Sequence, residues 1–569
     1  MKITTQLVRF SFVIVFLFPF VLNGQHFRLD PGEMEKIHHE TPGDAYLPNK
    51  HSNKKTTPAF KYQYRNTKTS QLTGSTIFTN QVNVNAAGQN ISDDAANEPN
   101  IAVNPLNPNE MVIGWRQFDN VSSNFRQAGW AYSSDAGQTW TFPGVIDSGI
   151  FRSDPVLDYD LNGNFYYNSL TVNGNQYPCK VFESTDGGVT WNNGVDIGGG
   201  DKQWMTIDRT GGIGNGNIYS TWTQLYSFCW PGNFTRSSTG GSSFESCTPV
   251  AGIPAFGTMA VGINGSLFIG GSGWTSDTLA IAKSPNAKIP GSTINWNTVT
   301  IALNASIGFY TPVNPDGILG QVNIDIDRSS GPGSGNIYVA LSVILFSGDP
   351  GDVIFMKSVN GGTIWSAQQK VNDDTSTSNT QWFATMSVAP NGRIDIVWLD
   401  TRDAPAGSDS SALYYSYSVD QGATWSANEK MSAGFDPHVG YPNQDKMGDY
   451  FDMISDNNGA HLAWANTFNG EQDVYYSHIV PSILTGKDEI ALNSSFSVFP
   501  NPSNGAFVIA APASPYKIEI TDMLGENVFS MTMLKAKNEI NISDQPAGIY
   551  FLKITLRDGR IVVKKIIRE

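Results

Sequence analysis

Three arginines carry the charge that a negatively charged ligand would need: Arg116, Arg152 and Arg402. A guanidinium donates in a rigid planar fork, so a cluster of them suits a carboxylate. Glu98, Asp119, Asp154, Asp201, Asp400, Asp403 and Asp449 supply acids, and Tyr450 and Trp204 supply aromatic groups, provided the fold brings them together. The competing reading is plain ion pairing: Arg152 with Asp154, and Arg402 with Asp400 or Asp403, in a solvated ring without chemistry. The 7 His show no ligand spacing, so neither a metal nor a cofactor is expected. The 3 Cys exclude a complete disulfide framework. Cys229 and Cys247 flank one predicted hairpin and could pair in an oxidising compartment, which leaves Cys179 as a buried apolar residue.

Whether those residues meet depends on the elements that carry them. The chain has 569 residues, 40% of them hydrophobic, with Gly 56, Trp 14 and Tyr 21. That length exceeds one ordinary core, and the composition favours tight turns and aromatic-rich strands. Short alternating runs recur throughout, and no sustained helical period does. The net charge of −15 is spread along the chain without a basic cluster, which excludes nucleic acid as a natural partner.

The strongest signal is an internal repeat. Four segments read alike: Ser133 to Trp140, Ser184 to Trp191, Ser358 to Trp365 and Ser418 to Trp425, with a weaker copy from Ser237 to Phe244. In each, an acid or amide (Asp135, Asp186, Asn360, Asp420) precedes a Gly and ends at a Trp (Trp140, Trp191, Trp365, Trp425). The Asp side chain accepts backbone N–H bonds and holds a turn, and Gly supplies the positive φ. Burying ~150–250 Å² of Trp at ~25 cal/mol per Å² is worth roughly 4–6 kcal/mol, as an upper bound. These residues are therefore read as scaffold. The pattern Ser-x-Asp-x-Gly-x-Thr-Trp resembles the Asp-box (BNR) repeat family, which implies a β-propeller.

Reading outward from each box gives a four-strand unit. Inner strands are expected near Asn100–Val103, Pro155–Tyr159, Trp204–Asp208, Thr258–Gly262, Val322–Asp327, Phe383–Ala389 and Phe451–Ser455. The predicted fold is all-β: a seven-bladed propeller, with six blades as the alternative, followed by a small C-terminal β-sandwich. The seventh blade lacks an outer strand of its own, and Ile77–Val84 is expected to supply it and close the ring. In this topology Arg116, Arg152 and Arg402 fall on the axis face where inner strands begin. Arg209, Arg328 and Arg393 fall on the opposite face and read as structural.

Asp-box propellers are best known in sialidases, and the repeats resemble theirs. That resemblance implies an Arg trio on a sugar carboxylate, a Tyr nucleophile with a Glu partner, and an Asp acid/base. Carried onto this sequence it gives Arg116, Arg152, Arg402 and Trp204 as substrate-binding, and Asp154, Asp201 and Tyr450 as catalytic. The chain departs from the family pattern at several points. Phe151-Arg152-Ser153-Asp154-Pro155 has one residue too many for Phe-Arg-Ile-Pro and comes one blade late, no Tyr–Glu couple can be assigned, and the family's enzymes have six blades. Two functions follow: a sialidase-like glycoside hydrolase, or a non-catalytic propeller that holds glycans or surface proteins.

The ends of the chain predict where it acts. Lys2, Arg9 and the apolar run Phe10 to Leu22 read as a signal peptide over 1–24, and 25–76 as a poorly structured leader. The propeller spans 77–480 and a linker 481–493. Residues 494–569 carry Pro500-Asn501-Pro502-Ser503-Asn504-Gly505, Gly548-Ile549-Tyr550-Phe551-Leu552 and Lys564-Lys565. They resemble the type A sorting domain of type IX secretion. The resemblance implies export through the periplasm and outer membrane, the type IX machinery as one partner, an extracellular glycan or surface protein as another, and no membrane span in the mature chain.

Overall fold

A computed structural model describes residues 45–48, 57–65, 74–174, 176–482, 496–510, 516–533, 535, 537–556 and 561–569. The expected signal peptide, much of the leader and most of the linker lie outside these residues. The described strands pair into antiparallel sheets, and helix among the described residues is limited to a 3-10 turn at Gln224–Tyr226.

Successive sheets of three to five strands follow the predicted order. Their first strands are Ala95–Val103, Ser153–Tyr159, Trp204–Ile207, Met259–Val261, Asn323–Ile326, Gln381–Val388 and Asp452–Ser455. Each first strand packs against the first strand of the next sheet, and the last packs against Ala95–Val103, so the contacts return to their start. This is a β-propeller, with the first strands around a central channel. Second strands such as Met111–Phe118, Ile394–Asp400 and Ala460–Asn466 are buried on both faces, because each sheet is covered by two neighbours. Their near-continuous apolar sequence follows from that double burial.

The Asp boxes hold the turns after the third strands. Asp186 Oδ1 accepts from Ser184 Oγ at 2.8 Å and from the Thr190 N–H at 3.0 Å, while Oδ2 accepts from Thr190 Oγ1 at 2.6 Å. Asp135 and Asp420 repeat this arrangement, and Asn360 keeps the Oδ1 half of it. Gly188 sits at φ +85°, and a Cβ there would lie 2.2 Å from Val112 Cγ2 of the preceding sheet. Box tryptophans fill the gaps between layers: Trp140 lies 5.5 Å from Tyr476 and Trp425 lies 5.0 Å from Phe355. A further, degenerate box that the repeat pattern missed is Ser284-Pro285-Asn286-Ala287, where the Ala287 N–H donates to Ser284 Oγ at 3.0 Å.

The ring closes as expected from the sequence. Thr76–Gln81 pairs with Asp473–Val480, with Ile77 opposite Ile479. Beyond it, Asn83 Nδ2 donates to Asp473 Oδ1 at 2.7 Å and Asn83 Oδ1 accepts the Val474 N–H at 3.0 Å. One expectation is corrected here. Lys61–Arg65, read as unstructured leader, forms a strand outside Thr76–Gln81. Its neighbour Phe60 stacks on Phe468 at 4.7 Å, and this apolar anchorage is the contact that a polar composition concealed.

Two excursions interrupt the propeller pattern. Phe309–Thr311 and Asn314–Ile318 form a hairpin before the Asn323 strand, and a long segment precedes Asp452. They clasp each other. Asn314 Nδ2 donates to Gly448 O at 2.9 Å, the Met447 N–H donates to Asn314 Oδ1 at 2.9 Å, and the Asp316 N–H donates to Asp445 O at 3.0 Å.

Cys229 and Cys247 form a disulfide and Cys179 is a buried thiol. Further on, residues 497–568 form two sheets. Ser497–Phe499, Ala506–Ala510 and Lys537–Asn541 make one; Asn527–Met533, Tyr516–Thr521, Gly548–Leu556 and Ile561–Arg568 make the other. Phe507 and Ile509 of the first share a hydrophobic cluster with Ile518, Leu552 and Ile566 of the second.

Candidate functional site

The channel has two different ends. At the end where the first strands begin, the structure brings together Glu98, Arg116, Asp154, Asp201, Lys202, Lys446 and Asp449, all buried. Lys202 Nζ lies 3.0 Å from Asp154 Oδ2, 2.7 Å from Asp449 Oδ2 and 3.6 Å from Asp201 Oδ1. Lys446 Nζ lies 2.7 Å from Asp449 Oδ2 and 3.7 Å from Glu98 Oε1. Arg116 Nε lies 3.2 Å from Glu98 Oε2 and donates to Asn97 Oδ1 at 2.8 Å, and its Nη1 donates to Gln444 Oε1 at 3.0 Å. Gln444, Lys446 and Asp449 come from the clasped segment, so the excursion that covers this end also supplies part of its charge.

The electrostatics follow from burial. Four carboxyls face three cations, and burial pushes Glu98 up to about 7, opposed by Arg116 and reinforced by Asp154 and Asp449. Burial also opposes charge on Asp154, yet Lys202 and Arg116 hold its carboxyl well below the usual range. Lys202 is held protonated against its own burial by Asp154, Asp201 and Asp449. Burial of so many acids in one place is tolerable only because each faces a cation. Tyr450 lies among these groups. Its phenol is pushed well above the ordinary value by burial, then by Glu98 and Asp154, and donates to Pro155 O at 2.8 Å. A phenol held protonated in this way opposes nucleophilic attack.

The predicted trio does not share a partner. Arg152 pairs with Asp147, Nη2 to Oδ2 at 2.7 Å, and lies 4.8 Å over Phe182; Asp154, its expected partner, is bound to Lys202 instead. Arg402 pairs with Asp400 and Asp373 and lies 4.4 Å over Tyr414. That is the ion-pairing reading, with Asp373 added. Asp119 accepts from Gln127 and Tyr46, and Asp403 from Tyr414. Lys202 and Lys446 escaped sequence reasoning, which sorted arginines alone. The position of Lys202 beside Asp201, at the start of a first strand, was the signal available.

The other end of the channel is open. A cavity of about 510 Å³ is lined by the first strands and the turns that follow them, with Met205, Met259, Met386 and Met453 around it and Asp158, Arg209, Asp325, Arg328 and Asp452 among its polar groups. Trp204 lines it and meets Tyr450 edge to face at 5.4 Å, which separates the cavity from the buried charges. Arg209 pairs with Asp158 and lies 4.1 Å over Tyr159, and Arg328 Nη1 lies 2.8 Å from Asp325 Oδ1. Sequence topology assigned these two arginines to this face as structural residues. Both are ion-paired, and they also line the cavity.

Comparison with known proteins identifies the C-terminal unit. Residues 497–569 match the family model of the secretion system C-terminal sorting domain. The chain therefore carries the sorting signal of type IX secretion and is exported to the cell surface or extracellular space. Among the described residues no helix is long and apolar enough to cross a membrane. The chain is 31% identical over 112 residues to a probable oligoxyloglucan-reducing end-specific xyloglucanase of Neosartorya fischeri, a match covering 19% of this chain and 11% of that protein. Among solved structures, a protein of unknown function from Dyadobacter fermentans aligns at a TM-score of 0.40 and 14% identity, over 71% of this chain and 98% of its own. The sialidase of Trypanosoma rangeli aligns at 0.37 and 10% identity, over 85% and 86%.

Proposed function

We propose that this secreted protein is a seven-bladed propeller with a C-terminal β-sandwich, and that it binds extracellular glycan without cleaving it. The ligand seats in the open cavity, which takes in Trp204 but none of Arg116, Arg152, Arg402, Asp154, Asp201 or Tyr450. The carrying observation is the contrast between the two ends of the channel. Asp154, Asp201 and Tyr450 lie buried at one end, where Lys202 faces both carboxyls and Tyr450 stays a protonated phenol. The cavity at the other end offers paired Arg and Asp side chains for hydroxyls above an apolar wall, the combination that sugar faces and edges require. The cyclic order of first strands supports seven blades. The xyloglucan named for the Neosartorya fischeri relative makes neutral plant oligosaccharides the first ligands to try.

The test is a glycan array with the full chain, beside an assay of sugar release from the same glycans. Saturable binding without release, weakened at least about 10-fold by Arg209→Ala or Arg328→Ala, is expected. Turnover that Asp154→Asn abolishes would restore the hydrolase reading. Capture of surface proteins with no glycan bound would favour the adhesion reading.

A further inference from the structure

We propose that Asp456, His461 and His478 form a binding site for a divalent transition ion of borderline softness, zinc in the first instance, on the sheet where the ring closes. His461 lies on Ala460–Asn466 and His478 on Asp473–Val480, directly opposite each other in the antiparallel register. Their rings stack with centroids 4.7 Å apart and an interplanar angle of 16°. Asp456 stands in the turn that joins the last first strand to its second. Its Oδ1 accepts the Asn458 and Gly459 N–H groups at 2.7 and 2.8 Å, while its Oδ2 lies 3.6 Å from His461 Nε2. One ligand atom from each of the three residues lies within 4.8 Å of the others.

Three features suit these atoms to an ion. Among the described residues neither His461 Nε2 nor His478 Nε2 has a partner within hydrogen-bond distance, which is costly for buried nitrogens. His461 Nδ1 lies 2.8 Å from Tyr476 Oη. A hydrogen bond donated from Nδ1 to that oxygen leaves the Nε2 lone pair for metal, the arrangement in which outer contacts fix a ligating imidazole. Residue 459 is glycine; a Cβ there would collide first with the Ile479 carbonyl oxygen and would also stand 2.7 Å from His478 Nε2. Donor atoms around a tetrahedral zinc lie about 3.4 Å apart at bond lengths near 2.1 Å, so the 3.6 Å separation needs only a small rotation. Two imidazoles and one carboxylate suit zinc, copper(II) or nickel, with water completing the shell; calcium and magnesium demand more oxygen. The nearest cation is Arg393, whose Nη2 donates to Asp456 O and Gly459 O; its charge is balanced by Asp395, 2.9 Å from Nε.

The position gives the ion a role. His478 pairs with Phe78 of Thr76–Gln81, the strand that closes the ring. A bound ion would tie the Asp456 turn and both histidine strands together beside that seam. Sequence spacing gave no hint of a metal, because strand pairing and not local spacing brings the histidines together.

The test uses the full chain without a histidine tag, stripped with a chelator and titrated with Zn2+, with Co2+ as a spectroscopic probe. One equivalent of Zn2+ should bind and raise Tm by about 3 °C or more at saturating ion. Co2+ should develop visible bands, while Ca2+ and Mg2+ should do neither. His478→Asn should abolish both responses, and Asp456→Asn, which can keep the turn bonds, should weaken Zn2+ at least about 10-fold. Zn2+ binding that His478→Asn and His461→Ala both leave unchanged would place the ion elsewhere, and no binding by the folded wild-type chain would overturn the site.

Discussion

Asp452 Oδ2, on the first strand of the last sheet, accepts the Ile101 N–H of the first sheet at 3.1 Å. The bond crosses the junction where the ring meets itself, and it belongs to a series. Asn100 Oδ1 accepts the Leu157 N–H at 2.7 Å, Asp158 Oδ2 the Ile207 N–H at 2.7 Å, Thr258 Oγ1 the Ile324 N–H at 2.9 Å, Asp325 Oδ2 the Val388 N–H at 2.8 Å and Ser387 Oγ the Ser455 N–H at 2.9 Å. Each side chain reaches from one first strand, or for Thr258 from the residue just before it, to the backbone of the next. First strands have no edge partner on their channel side, so side-chain acceptors satisfy amides that a ladder would otherwise serve. The same stitching places carboxylates around the cavity.

One consequence is a pH dependence with a definite sign. Burial pushes Asp452 up to about 7, although the Ile101 and Met453 N–H groups oppose the shift. The folded chain therefore keeps a proton that the unfolded chain releases near pH 4, and the stability this group supports falls as pH rises from about 4 to about 7. Glu98 and Asp473, also pushed up to about 7 by burial, act in the same direction. Asp154 acts oppositely in stronger acid, and His478, pushed down to about 4 by burial, offsets part of the trend between about pH 4 and 6.5. Urea unfolding should give a lower free energy at pH 7.5 than at pH 5. Asp452→Asn, which keeps an acceptor for Ile101, should remove on the order of 2 kcal/mol of that difference. An unchanged slope would show that Asp452 is not protonated in the folded state.

The Asp boxes predict a graded series. Asp186→Ala removes both the backbone and the hydroxyl bonds of its turn and should cost roughly 1–2 kcal/mol. Asp186→Asn should cost less than about 1 kcal/mol, since Asn360 already holds an equivalent turn through Oδ1. Gly188→Ala should be the worst of the three, at roughly 2 kcal/mol or more. It meets both a positive φ and the Val112 methyl. Chemical denaturation of the three variants orders them directly.

The seam can be weakened without touching its strands. Asn83 uses its amide on both Asp473 and the Val474 N–H, and it is fully buried. Asn83→Ala leaves a buried amide and a buried carboxyl short of partners, at roughly 1–3 kcal/mol. Hydrogen exchange should then quicken first in Thr76–Gln81 and Asp473–Val480, ahead of the other sheets. Uniform acceleration around the ring would mean that the seam opens only with the whole propeller.

Much of the scaffold is legible in the sequence because it repeats. The boxes at Asp135, Asp186, Asn360 and Asp420 fix a unit length, and the alternating run near Ile77 marks the closing strand. The strand at Lys61–Arg65 escapes that reading, since its contacts are made by Phe60 and Tyr62 with distant aromatics and not by any local pattern. The site is less legible for the same reason. Topology correctly places Arg116, Asp154 and Tyr450 at one end of the channel. It cannot show that the hairpin at Phe309–Ile318 and the segment before Asp452 clasp over them, because insertions break the repeat on which the reading depends. Arg152 and Arg402 sit where expected in the chain, but Asp147 and Asp373 capture them. Choosing between neighbouring carboxylates requires side-chain geometry.

The buried charges give the last prediction, and the sharpest contrast between scaffold and active site. Lys202 is the common partner of Asp154, Asp201 and Asp449. Lys202→Met keeps much of the side chain's volume and removes its charge, which leaves carboxylates facing each other away from water. Removing one partner of a buried ion pair costs roughly 3–5 kcal/mol, and the loss should be partly relieved at pH 5, where the stranded carboxyls can take up protons. A cluster that holds the channel together should show this loss in unfolding experiments at both pH values, larger at pH 8. A cluster that opens to admit substrate would be hydrated, and Lys202→Met would then change stability by less than about 1 kcal/mol while altering ligand affinity. Urea unfolding and glycan binding measured on the same variant separate the two cases, since a structural cluster moves the first and leaves cavity binding by the folded protein unchanged.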